Sequence, residues 1–188
     1  FCARVLGKCT ICTFCIIAQE KAMGIELIHS RPCLIFGCGN PLFGDDGFGP
    51  KVIEHLRQHH QLPESVGCMD AGTAVRDLLF DILLAENKPR RILIIDASRQ
   101  EGRAPGEISE IAVDGITPEK TSDFSLHQFP TTNMLTELST GTNVEVRVLV
   151  VQPEYIPDEI APGISVPVMA AVPEMCRHIM DIIEKEPL

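Results

Sequence analysis

The sequence predicts an α/β domain built on a mostly parallel sheet, and three observations support that prediction. Short, continuously apolar runs such as CLIFGC (33–38) are typical of strands that are buried on both faces. These runs alternate with longer segments of helical periodicity, an order that implies helices on both faces of a parallel sheet. The length of 188 residues and the 45% apolar composition suit one domain with a sizeable core.

The first half of the chain supplies three strands and two helices. A glycine-rich turn after the first strand leads into a predicted helix over 48–60, and VGCMD forms a short second strand that ends at Asp70. A second helix has apolar residues at i, i+3, i+4, i+7 and i+8 from Val75, and we expect Thr73 to be its N-cap. RILIIDAS (91–98) is the clearest central strand.

The second half adds two strands and two helices. EISEIAV (107–113) alternates apolar and polar residues as an edge strand does, and VEVRVLVVQPE (144–154) is the last strand. Between them lies a helix that carries Leu135. The C-terminal stretch from Ser165 has helical spacing, and Pro173 either kinks that helix or marks its start.

Composition argues against several classes of protein. Sixteen Lys and Arg against 26 Asp and Glu give a formal net charge of −10, so nucleic acid and anionic membranes are unfavourable main partners. No apolar run reaches the roughly 18–20 residues that span a bilayer. Cys33, Cys38, Cys68 and Cys176 are scattered among apolar residues, as buried thiols are in a reducing compartment. We therefore expect a cytoplasmic protein.

Residues 1–30 form a cysteine-containing tail before the predicted domain. Cys2, Cys9, Cys12 and Cys15 have the spacing C-x₆-C-x₂-C-x₂-C, an inventory of thiolates that suits an iron–sulfur cluster. The spacing departs from the bacterial ferredoxin pattern. The alternative, which we favour, is a non-native extension before Met23 that binds no cluster.

Acidic residues follow three successive strands of the predicted sheet. Asp45 and Asp46 lie in the glycine-rich turn, Asp70 ends the second strand and Asp96 ends the third. Because ligands bind beyond the carboxyl ends of parallel strands, we expect these carboxylates at one edge of the sheet. They would repel a phosphate, and Leu42 occupies the place of the third glycine in a G-x-G-x-x-G pattern.

The same acids suit a divalent metal. Asp46 and Asp96 with His127 would offer oxygen and imidazole ligands to Zn, Ni, Fe or Mn. An equally weighted alternative is that Asp45 or Asp46 caps the following helix. Cys38 in the turn is a candidate nucleophile, but burial is the better prediction because neighbouring carboxylates raise a thiol pKa.

Taken in order, these motifs resemble those of the [NiFe]-hydrogenase maturation endopeptidases. The glycine-rich turn resembles the family's G-x-G-N-x-L-x-x-D-[DE]-G-x-G pattern, and the resemblance extends over 33–184. The loop ASRQEGRAPGEISEI is most similar to the archaeal branch that serves the coenzyme F420-reducing hydrogenase. The matching segments are GCGNPLFGDDGFG, MDAGTA (69–74), LIIDAS (93–98), APGE (104–107), SLHQF (125–129), QPE (152–154) and GIS (163–165).

The resemblance implies a fold, a reaction and a site. The fold would be a three-layer α/β/α sandwich around a five-stranded, mostly parallel mixed sheet, formed by a protease domain over 31–188. The reaction would be removal of the C-terminal extension of the hydrogenase large-subunit precursor after nickel insertion, by an aspartic-type endopeptidase. Asp46, Asp96 and His127 would recognise the nickel that the substrate carries. Asp46, Asp70 and Asp96 would be the catalytic acids. The position that Asp46 occupies in the first loop is often Glu in the family.

Two other functions remain open. One is a nickel-sensing chaperone or scaffold that recognises the large subunit without cutting it. The other is a phosphate- or nucleotide-binding α/β module, which the missing third glycine disfavours.

Overall fold

The computed structural model describes residues 30–113 and 129–186, which contain five strands and four α-helices. The strands are β1 (Cys33–Cys38), β2 (Val66–Gly72), β3 (Arg91–Ala97), β4 (Ile108–Ile111) and β5 (Glu145–Val151). The helices are α1 (Phe48–His59), α2 (Val75–Leu84), α3 (Phe129–Gly141) and α4 (Val166–Lys185), and a 3₁₀ turn spans Gly44–Gly47. These elements follow the predicted alternation of strand and helix.

The five strands form one mixed sheet in the order β2-β1-β3-β5-β4. The strands β2, β1, β3 and β5 are parallel, and β4 runs antiparallel to β5 at one edge. The predicted five-stranded mixed sheet and the edge position of β4 are therefore confirmed. Every residue of β1 and β3 is buried, which agrees with their central place, because a strand with neighbours and helices on every side is shielded from water.

Helices cover both faces of the sheet and complete the three-layer sandwich. Leu34, Phe36 and Cys38 of β1 point into the core that is shared with α2 and α3. The alternate residues Cys33 and Ile35 point into the core that is shared with α1 and α4. The period of two along each strand thus assigns every side chain to one of the two layers.

One local expectation was wrong, and one open alternative is decided by the structure. Ala74, not Thr73, is the N-cap of α2, and no side chain caps that helix. The chain enters α2 through a backbone turn in which the N–H of Ala74 donates to the carbonyl of Ala71, so the hydroxyl is not needed. Pro173 does not mark the start of α4, since it lies inside a helix that begins at Val166.

Three of the four thiols predicted to be buried are buried. Cys33, Cys38 and Cys176 are free and buried, whereas Cys68 is only partly covered. The four cysteines of the N-terminal tail lie outside the described residues. Within the described ranges, none of the helices has the length and apolar character that a membrane crossing requires.

Candidate functional site

The order of the strands creates a crevice between β1 and β3. The chain leaves β1 toward β2 on one side, and leaves β3 toward β5 on the other. At such a switch point the loops that follow the two strands diverge and leave a gap at their carboxyl ends. The turn that carries Asp46 follows β1, and Asp96 is the penultimate residue of β3. The topology therefore places both acids at this gap.

Two glycines allow α1 to start directly against the ends of these strands. A Cβ at Gly49 would lie 2.2 Å from the carbonyl oxygen of Cys38 and 2.5 Å from that of Ile95. Gly39 has φ +116°, a conformation that side chains rarely adopt, and its Cβ would lie 1.8 Å from the carbonyl oxygen of Asp46. The glycine-rich turn is thus a close-packing device that seats Asp46 at the edge of the sheet.

The charges of three predicted acids act on the buried thiol of Cys38. Burial raises the pKa of this thiol well above its ordinary value, and the charges of Asp96, Asp70 and Asp46 raise it further. Asp96 lies two residues after Ile94 and four after Ile92 on β3, so its side chain points to the same face of the sheet as theirs. Ile92 and Ile94 face the same core as Cys38. The prediction that the acids after three strands share one edge agrees with this arrangement.

The three acids differ in exposure. Asp96 is fully buried and accepts a hydrogen bond from the backbone N–H of Ala97 at 2.9 Å. Asp46 is 5% exposed, and its Oδ2 accepts the N–H of Asn40 at 2.6 Å. Asp70 is exposed, and it accepts a bond from a glycine N–H two residues on. Two carboxylates are therefore held inside the edge of the sheet, while one faces solvent.

The third predicted metal ligand, His127, lies outside the described residues. The helix α3 begins two residues after it, at Phe129. Since α3 leads into the parallel strand β5, its first turn belongs to the carboxyl side of the sheet. His127 therefore stays a predicted ligand.

Asp45 binds a distant loop, a contact that the sequence did not predict. Neither the 3₁₀ turn nor α1 has a side-chain cap, so the helix-cap alternative is wrong for Asp45 and Asp46 alike. Instead, the fully buried carboxylate of Asp45 accepts the backbone N–H groups of Glu154, Tyr155 and Ser165 at 2.7–2.8 Å. The hydroxyl of Ser165 donates a fourth bond at 2.9 Å.

This network explains two adjacent acids in one turn. Asp45 ties the turn to the 154–165 loop, whereas Asp46 accepts the N–H of Asn40 within the turn itself. The sequence features that correspond to this contact are the segments QPE (152–154) and GIS (163–165). They contain the donors Glu154 and Ser165, and Tyr155 follows the first of them. Sequence proximity did not connect them, because the partners are more than 100 residues away.

The turn is not built to hold a phosphate. A phosphate loop needs backbone N–H groups that point at the ligand. Here the N–H groups donate to acceptors within the protein, and Pro41 has none. Four N–H groups donate within the turn: that of Asn40 to the Asp46 carboxylate, that of Leu42 to Asn40 Oδ1, that of Phe43 to the carbonyl of Asn40 and that of Asp46 to the carbonyl of Phe43. The other three donate to backbone carbonyls elsewhere in the chain: Gly39 to Gly72, Gly44 to Ala161 and Asp45 to Tyr155.

Cys38 is not suited to act as a nucleophile. The nucleophilic form of cysteine is the thiolate, and this thiol is fully buried beside three carboxylates that raise its pKa. The expectation that Cys38 is structural is therefore favoured by its surroundings.

Gln152 fixes the loop that follows β3. Its side-chain oxygen accepts the N–H of Gln100 at 2.6 Å, and its carbonyl accepts the N–H of Gly106 at 2.8 Å. Gly106 has φ +83° within the segment APGE. The segments APGE and QPE are therefore hydrogen-bonded to each other at the edge of the sheet. The sequence alone did not predict this contact.

Comparisons with known proteins agree with this geometry. A family model described as hydrogenase maturation protease matches residues 50–182. The hydrogenase 2 maturation protease of Escherichia coli is 30% identical over 133 residues, which cover 70% of this chain and 77% of that protein. The delta subunit of coenzyme F420 hydrogenase from Methanothermobacter thermautotrophicus is 32% identical over 159 residues, or 82% of this chain and 96% of that protein.

A solved structure gives the same result for the fold. The hydrogenase maturating endopeptidase HybD from Escherichia coli superposes with a TM-score of 0.67 at 27% identity. The superposition covers 84% of this chain and 94% of that chain. The predicted α/β/α architecture is confirmed by both the described elements and this match.

Proposed function

This chain belongs to the hydrogenase maturation protease family, and from that premise we propose the reaction it performs and the residues that perform it. The protein removes the C-terminal extension of a [NiFe]-hydrogenase large-subunit precursor after nickel insertion. It recognises nickel that the substrate carries. The observation that supports this proposal best is the placement of two buried acids at the switch point of the sheet, Asp46 in the turn after β1 and Asp96 near the end of the neighbouring strand β3.

Nickel recognition is assigned to Asp46, Asp96 and His127. Asp46 and Asp96 place two buried carboxylates at one gap, and their negative charge attracts a divalent ion that enters it. An imidazole adds a nitrogen ligand of the kind that nickel accepts. The position of His127, two residues before the first turn of α3, supports its place at the same edge.

Cleavage is assigned to the acids of the site, as in an aspartic-type peptidase. A carboxylate of the site takes a proton from water, and the water oxygen adds to the carbonyl carbon of the scissile peptide. The proton then passes to the leaving amine as the C–N bond breaks. Asp70 is the exposed acid of the three, so it is the one that a peptide lying across the edge reaches first.

The client is proposed to be a hydrogenase of the coenzyme F420-reducing class. Two observations support this choice. The loop over 97–111 is similar to that branch of the family, and a relative at 32% identity bears the name of an F420 hydrogenase subunit.

The test is processing of a nickel-loaded large-subunit precursor, with the product weighed by mass spectrometry. Asp46→Asn, Asp96→Asn and His127→Ala should each lower the rate by at least about 100-fold, the usual size of an effect from losing a positioned group. Asp77→Asn is the matched control, because Asp77 is an exposed acid on α2. It should process at the rate of the unmodified protein.

The same experiment separates a protease from a scaffold. A protein that binds the nickel-loaded precursor without shortening it is a chaperone, and the proposed reaction is then wrong. Full processing by all three variants would refute the assignment of the site while leaving the family membership intact.

A further inference from the structure

A second group of metal-binding side chains lies away from the sheet edge. His55 is on α1, His60 is the residue after its last turn, and Cys176 is on α4. One ligand atom from each of the three lies within 4.8 Å of the others. We propose that His55, His60 and Cys176 form a binding site for a zinc-class divalent ion that joins α1 to α4.

The geometry is close to that of a bound ion. Zinc bonds of roughly 2.0–2.1 Å to nitrogen and about 2.3 Å to sulfur place tetrahedral ligands roughly 3.3–3.7 Å apart. The observed limit of 4.8 Å therefore requires the side chains to close by about 1 Å, which rotation about the χ angles supplies. Three protein ligands leave the fourth position to water.

The composition of the group selects the ion. Imidazole nitrogens and a cysteine sulfur suit zinc and similar borderline ions, whereas magnesium and calcium require oxygen ligands. Both histidines are half-buried, so an ion can reach the buried sulfur from solvent between them. This arrangement differs from the carboxylate-rich gap at the sheet edge.

Burial shifts the pKa of two of the three groups, in directions that act oppositely on metal binding. Burial, together with the neighbouring His59 and His60, lowers the pKa of His55, which keeps its ring in the neutral form that binds metal. Burial raises the pKa of Cys176 to about 12, with a further contribution from Cys68. The thiol lies 3.8 Å from the carbonyl oxygen of Val52 and keeps its proton until an ion displaces it.

The position of the site suggests a structural role for the ion. The helices α1 and α4 pack on the same face of the sheet, and both begin at its carboxyl edge. Asp46 lies two residues before the start of α1, and Ser165, which donates to Asp45, is the N-cap of α4. An ion bound by His55, His60 and Cys176 would fix the packing of α1 against α4. It would thereby stabilise the two helices whose first turns follow Asp46 and Ser165.

Cobalt(II) is the probe, because a cobalt–thiolate bond gives a charge-transfer absorption band and zinc then displaces the cobalt. The test uses the full chain with Cys2, Cys9, Cys12 and Cys15 replaced by serine, which removes the four thiols of the N-terminal tail. In this parent protein the band should appear, reach its full intensity at one equivalent of cobalt, and disappear when zinc is added. Zinc should also raise its unfolding temperature.

His60→Asn in that background should weaken cobalt binding at least about tenfold, and Cys176→Ser should abolish the band. His59→Asn is the matched control, since His59 is an exposed neighbour outside the group, and it should bind like the parent. Circular dichroism of each ion-free variant establishes that it is folded. His60→Asn decides the outcome should the buried Cys176→Ser protein not fold.

The proposal is overturned by any of three results. One is a parent protein that shows no thiolate band. The second is a band that survives unchanged in folded Cys176→Ser or in His60→Asn. The third is a loss in His59→Asn that equals the loss in His60→Asn.

Discussion

Replacing Asp45 by asparagine should weaken the fold without removing an acid from the proposed catalytic set. In the native protein Oδ2 accepts the N–H groups of Glu154 and Tyr155 and the hydroxyl of Ser165, and Oδ1 accepts the N–H of Ser165. An asparagine oxygen in the place of Oδ2 keeps three of these bonds, but as neutral ones. Its amide group then faces the N–H of Ser165, so two donors oppose each other.

The magnitude follows from these four bonds. A hydrogen bond to a charged group contributes about 1.5–3 kcal/mol and a neutral one about 0.5–1.5 kcal/mol, so each retained bond loses up to about 1 kcal/mol. The unsatisfied N–H of Ser165 costs about 1–3 kcal/mol. Because the donors are only part-buried, water recovers some of this loss, and we expect a net destabilisation of about 2–3 kcal/mol. That corresponds to a fall in Tm of about 5–10 °C for a chain of this size.

Urea unfolding measures this effect directly. The transition midpoint should fall at an unchanged m-value, because the surface exposed on unfolding is the same. Asp77→Asn should stay within about 0.5 kcal/mol, as exposed substitutions usually do. Well below its transition, Asp45→Asn should still process the precursor. An unfolding free energy within about 0.5 kcal/mol of the unmodified protein would refute the reasoning that Asp45 holds the 154–165 loop.

Three further predictions test the packing and the thiols. Gly49→Ala should destabilise the protein by about 3 kcal/mol, because its Cβ meets two backbone oxygens, whereas Gly141→Ala, whose Cβ contacts one side-chain atom at 3.7 Å, should be neutral or slightly stabilising in urea unfolding. Cys38→Ala should retain precursor processing within about tenfold, and a loss comparable to that of a catalytic group, about 100-fold, would restore the thiol as a nucleophile. Burial raises the pKa of Cys33 from 9.0 to about 11, so the folded protein keeps a proton that the unfolded chain loses in that window. The unfolding free energy should therefore fall as pH rises from about 9 to about 11, by up to about 1.4 kcal/mol per pH unit from this thiol, and less steeply in Cys33→Ala.

Local patterns were sufficient for the strands and helices. The apolar run at 33–38 and the helical spacing from Val75 reflect burial periods that repeat every few residues, and the structure has a strand and a helix there. Caps and termini were less predictable. Thr73 is an acceptable cap residue, but the turn is closed by backbone bonds instead, and no sequence period reports that choice.

The candidate site was predictable to the extent that it follows from strand ends. Asp46 and Asp96 could be placed at one edge because parallel strands point their carboxyl ends the same way. The hydrogen-bond partners of Asp45 could not be predicted. The donors that bind Asp45 come from a loop more than 100 residues later in the chain.

The sequence by itself determined the α/β class, the acids at the strand ends and, through seven ordered motifs, the family. Each of these depends on short-range spacing, which is written directly in the chain. Tertiary structure alone decided the order of the five strands and the hydrogen bonds between Asp45 and the 154–165 loop. It also decided the meeting of His55 and His60 with Cys176. These outcomes depend on which surfaces pack together, and packing is settled by the fit of whole helices and strands rather than by any local pattern.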